Sequence, residues 1–206
     1  MTTLTHTTDA PPTGRAPTST WSSPAPWARW SAYAVAAWAV AFAGVNFYLL
    51  FGGTAADSPL RDVWGAMIIM NVLVIVLKGL GAATALASVQ SWGRRLPAWL
   101  LSGAMWGAGG LLLLYAGLNF GMLIASGQLT ATTALAGGEF LVPAWTYATF
   151  FGVPGLLFAA AGRDHQRRTG TSLRWAVLGL LGAPALLGIV LFGVPALLRT
   201  AGMLPG

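Results

Sequence analysis

Five stretches, each of roughly 20 or more mostly apolar residues, follow one another along this chain. They are Trp30–Phe51, Val63–Ala87, Pro97–Ile124, Leu141–Gly162 and Leu173–Leu198. A helix rises about 1.5 Å per residue, so about 20 residues cross a hydrocarbon core of about 30 Å. Charge is correspondingly scarce: 56% of the residues are hydrophobic and 8% charged, where a soluble domain carries about 25% charged residues. The expectation is an all-α polytopic integral membrane protein, a bundle of about five transmembrane helices. No strand-like alternation is evident.

The segment before the first stretch is different in kind. Residues 1–29 are rich in Thr, Ser, Pro and Ala and poor in aliphatic side chains. Such a composition cannot bury a core, and a disordered polar tail is expected. The bundle is then expected over 30–198, with a short C-terminal tail at 199–206. Thr54-Ala55-Ala56 loosely resembles a cleavage site, but the run before it is long enough to span and stay.

Basic residues orient the bundle. With the N-terminus inside, Arg15, Arg29, Arg94, Arg95, Arg163, Arg167, Arg168 and Arg174 lie inside, and only Arg61 and Arg199 lie outside. Short loops with this bias obey the positive-inside rule. The expected location is a cell membrane, a bacterial inner membrane, with the N-terminus cytoplasmic. The formal charge of +6 then reports topology and anionic lipid contact, and nucleic acid is excluded as a partner. Five crossings put the C-terminus outside. Pro184 and Pro195 make a re-entrant fifth segment the alternative. Gly103-xxx-Gly107, Gly117-xxx-Gly121 and Gly179-xxx-Ala183 are small-residue pairs that let helices approach closely. They serve packing within one bundle or self-association into a homo-oligomer.

The only lysine, Lys78, lies in the most apolar run. A lysine at the bilayer centre costs roughly 2.5–3.5 kcal/mol on insertion scales. A partner, water or loss of the proton must offset this. If the second helix ends near Gly79–Gly81, Lys78 instead marks its inner boundary. In the interior reading its neighbours are neutral polar groups. Asn71 lies seven residues earlier on the same helical face. Asn46, Asn119 and Thr146, with Tyr115 and Thr149, fall toward the outer half. Lys78, Asn71, Asn46, Asn119 and Thr146 are therefore the candidate ligand-binding residues, set against the plainer reading of interhelical hydrogen bonding. Glu139, ahead of Pro143 in the expected first turn of the fourth helix, reads as a helix cap or an outer ligand contact.

Absent residue types narrow the function further. With no cysteine there are no thiolate metal sites or disulfides. His6 and His165 lie outside the spans, so neither holds a metal or haem within the membrane. His165 belongs to the Arg163–Arg168 loop, read as solvated positive-inside charge. No cofactor is expected. Serine near a span is confined to the inner side, away from Lys78, which argues against a Ser–Lys dyad and against an enzyme.

Phe42-Ala43 with Tyr48 and Gly52-Gly53-Thr54, the loop Trp92-Gly93-Arg94-Arg95-Leu96-Pro97, and Trp106-Gly107 with Leu111–Leu114 together carry a resemblance. The chain resembles a family of small, functionally uncharacterised multi-spanning membrane proteins of high-GC bacteria. The resemblance implies the membrane fold and transfers no site. The expected function is non-enzymatic: accessory to a membrane process, or binding a small lipophilic ligand among membrane lipids. A small transporter or channel subunit acting as an oligomer is the alternative.

Overall fold

A computed structural model describes residues 22–51, 64–135 and 140–189, with Gly193 and Thr200. Five helices account for most of it: α1 (Pro26–Phe51), α2 (Trp64–Val89), α3 (Ala98–Ala125), α4 (Trp145–Thr169) and α5 (Leu173–Gly188). A short 3₁₀ helix, Ser91–Arg95, joins α2 to α3. Three helices are long and apolar enough to cross a membrane: α1, α2 and α3. α4 has 25 residues, but its last turns carry Arg163, Asp164, Arg167 and Arg168. α5 has 16 residues, about 24 Å of helix. Its expected continuation to Leu198 lies outside the described residues apart from Gly193.

α1 starts earlier than its composition implies. Pro26 occupies its first turn, where a missing N–H costs little and the fixed φ suits a helix. The amide of Arg29 donates to the Ala25 carbonyl at 3.1 Å. Residues 26–29 are thus helical, while the rest of the expected tail up to residue 21 lies outside the described residues.

The second departure is a hairpin. β1 (Thr132–Leu135) pairs antiparallel with β2 (Phe140–Pro143), and Thr132 faces Pro143. Pro143 therefore ends a strand and does not open the fourth helix, which begins at Trp145. β-branched Thr132 and Thr133 and the run Phe140-Leu141-Val142, on either side of a Gly-Gly pair, are the local signal for it. Proline is tolerated there because a two-stranded ribbon consists of edges. Glu139 lies outside the described residues.

The helices pack in the order α2, α1, α4, α3, α5. Their interior is small-residued. Ala32, Val35, Ala85, Met105, Phe158 and Ala161 form one buried cluster, and Ala36, Ala39 and Ala82 another. Large apolar side chains such as Val40, Ile69, Met122, Leu156 and Leu181 point outward. Alanine inside and leucine outside is the pattern expected where lipid is the solvent and helices associate by close backbone approach. α3 and α5 meet through glycine. A Cβ on Gly179 would overlap the Gly103 carbonyl, and one on Gly107 would sit 3.0 Å from the Ala183 Cβ. The first and third small-residue pairs thus pack against each other within one chain.

The bundle has two distinct ends. Arg29, Arg94, Arg95, Arg163, Arg167, Arg168 and Arg174 belong to helix termini or turns at one end, the basic end. The hairpin between α3 and α4 marks the other.

Candidate functional site: a lysine among aromatic rings

Lys78 lies in the middle of α2, which continues from Gly79 to Val89 beyond it. That is about 16 Å of further helix, so Lys78 does not mark a helix end. Glycine at 79 and 81 does not break α2, since each costs about 1 kcal/mol relative to alanine within a helix, too little to end a long apolar one.

Its side chain turns toward α1 and α4. Nζ sits 4.0 Å from the Trp38 ring centroid, 4.9 Å from Phe42 and 5.3 Å from Phe151. The rings also hold one another. Trp38 stacks on Phe42 at 5.7 Å and 14°, while Phe151 meets Trp38 and Phe42 edge-on at 5.9 and 5.5 Å. Phe150 packs beside Phe151 at 5.2 Å, and Tyr115 of α3 meets Phe151 at 4.7 Å. Trp38 and Phe42 are one helical turn apart, so they present one face of α1 to the lysine.

The energies decide how complete this arrangement is. A desolvated cation–π contact is worth about 2 kcal/mol, against roughly 2.5–3.5 kcal/mol for a central lysine. The rings offset most of the cost of the charge. They offer no lone pair, however, and an ammonium has three N–H donors. Among the described residues Lys78 makes no ion pair, because the one salt bridge there is Arg168–Asp164. Trp38 adds a further donor: its Nε1 is buried with no hydrogen-bond partner among the described residues.

The other candidate residues all lie toward the hairpin end. Asn71 and Asn46 sit about 10 and 12 Å from the Lys78–Trp38 level, on adjacent antiparallel helices. Asn46 is buried, and its amide donates to the Phe42 carbonyl at 2.7 Å. Asn119 donates to the Tyr115 carbonyl at 2.8 Å. Thr146 is half-buried in the first turn of α4, and neighbouring Thr149 donates to Trp145 at 2.9 Å. Asn46, Asn119 and Thr149 therefore spend a donor on their own helix. Asn119 also lines a cleft of about 450 Å³ between the end of α3, the hairpin and the start of α4, together with Met122, Gln128 and Tyr147.

The residues that touch Lys78 are thus aromatic, from α1 and α4, and the sequence reading does not name them as its neighbours. A usable signal is there: Trp38 and Phe42 are four apart in mid-span, whereas membrane tryptophan favours the interface.

The basic end holds a second node. The expectation of a solvated loop at Arg163–Arg168 is corrected, because the last turns of α4 turn two of its residues inward. His165 is fully buried and Asp164 is 8% exposed. Arg168 Nε donates to Asp164 Oδ2 at 2.6 Å, and another of its nitrogens donates to the Ser88 carbonyl at 2.8 Å. This ties α4 to the end of α2. The amide of Gln90 donates to the Tyr33 hydroxyl at 2.8 Å and joins α2 to α1. Burial, aided by the Arg168 charge, pushes the His165 imidazole below the ordinary histidine pKa. The backbone at Ala98 and Ser88 and the Asp164 carboxylate act in the opposite sense. The Asp164–Arg168 spacing of one turn is the sequence signal for this clasp.

Comparison with known protein families, with curated proteins and with solved structures found no match.

Proposed function

We propose that the chain is a non-enzymatic integral membrane protein that binds a small lipophilic ligand in the seam between α1, α2 and α4. In this reading it crosses a cell membrane five times, with its N-terminus cytoplasmic. The observation that carries the ligand reading is the Lys78 ammonium held against the Trp38 ring at mid-length of α2. An ionisable group at that depth is costly and marks a functional site. Apolar rings around a few polar donors are the usual lining of a small-molecule site. The arginines at the basic end support the orientation.

The test is co-purification. Small molecules retained by the purified protein are compared by mass spectrometry with those retained by Trp38→Leu. A compound enriched on the native protein over bulk lipid and lost from the variant is expected. If the two preparations carry the same molecules in the same proportions as the surrounding lipid, the reading fails.

A further inference from the structure

We infer that the α1–α2–α4 seam is a site for a lipophilic anion, an amphiphile whose carboxylate or phosphate oxygens accept hydrogen bonds from Lys78 and Trp38. The inference rests on the ligand reading above and supplies its charge. Three observations carry it. The Lys78 ammonium sits at mid-length of α2 and makes no ion pair among the described residues. Asp164, whose carboxylate forms that one ion pair, holds Arg168 at the basic end. The indole N–H of Trp38, whose ring lies 4.0 Å from the Lys78 nitrogen, is buried without an acceptor.

Donors from two helices therefore lie close together, and among the described residues no side-chain acceptor meets the indole and no carboxylate meets the ammonium. Aromatic rings attract the charge of the ammonium but accept its hydrogen bonds poorly. An anion supplies both missing elements, a counter-charge and lone pairs, and charge-assisted hydrogen bonds are the strong ones. Its apolar remainder suits the surroundings, since Phe42, Phe150 and Phe151 form the rest of the wall. A quaternary ammonium would suit the rings equally, but it would have to displace Lys78 and would leave both donors unmet.

The experiment uses the full chain in phosphatidylcholine nanodiscs and two probes of equal chain length and opposite charge, laurate and dodecyltrimethylammonium. Saturable binding of laurate is expected. Lys78→Met should weaken it at least about tenfold, the range for a hydrogen bond to a charged group. Trp38→Phe keeps a ring and removes only the donor, and should also weaken it about tenfold, since its partner is the same anion. Circular dichroism and a single elution peak establish that both variants are folded. If phosphatidylglycerol in the disc displaces laurate, the anion is a lipid phosphate; if it does not, the anion is a free amphiphile.

Laurate binding that is unchanged in Lys78→Met would overturn the inference. So would binding of dodecyltrimethylammonium that tightens in that variant, because the rings would then be a cation cage with Lys78 as a tethered competitor. Either result with a bound probe leaves the lipophilic-ligand reading standing. Binding of neither probe, with no co-purified compound, removes both.

Discussion

His165 carries a consequence that acid exposes. Its imidazole is fully buried beside Arg168, and its pKa is depressed. A depressed histidine favours the neutral form in the folded state, so the unfolded chain binds the proton more readily. Stability is then complete above the ordinary histidine pKa of about 6.5 and is lost as pH falls from there toward the depressed value. Thermal unfolding in detergent should show the melting temperature falling between about pH 7 and pH 5. His165→Gln, which cannot take up a proton, should flatten that slope. An equal slope in the variant would place the acid sensitivity elsewhere. Lys78 presents the contrasting case of an ionisable group held by rings, with no carboxylate beside it among the described residues.

Helices in this bundle are held by what their side chains lack. Where α3 crosses α5, Gly103 and Gly179 bring the two backbones together, and a Cβ on Gly155 of α4 would crowd Leu113. Further along α3, a Cβ at Gly117 would meet nothing among the described residues. The two kinds of glycine predict opposite outcomes. Gly179→Ala should separate α3 from α5 and lower the melting temperature by several degrees, as overpacking by one methyl costs about 1–3 kcal/mol. Gly117→Ala should be neutral or slightly stabilising, since alanine is the better helix former. Thermal stability of the two variants in one detergent checks this. Similar losses at both positions would mean that Gly117 also lies in a tight seam.

At the scale of the molecule, the distribution of arginine predicts which end faces the cytoplasm. Reporter fusions after Arg94 should report inside, and fusions after Glu139 outside. A fusion at Gly206 should report outside if α5 completes a crossing. The 16 described residues of α5 reach about 24 Å, short of a hydrocarbon core of about 30 Å. An inside report at Gly206 would therefore make α5 a re-entrant element and leave four crossings.

The sequence by itself determined the helices, because a long apolar run leaves each backbone group only its own segment in which to find a partner, and that demand shows in composition alone. It also marked Lys78 as anomalous, since a lone charge in an apolar run needs no neighbour to be noticed. Local signals for the hairpin and for the Asp164–Arg168 clasp were present, but short strands and charged turns are easily mistaken for loops. Only the tertiary structure decided what surrounds the lysine. Trp38, Phe42 and Phe151 come from helices far apart in sequence, and their meeting depends on how closely the alanines of α1 and α2 let those helices approach. Helix formation is local, whereas which faces meet is set by packing across the whole bundle.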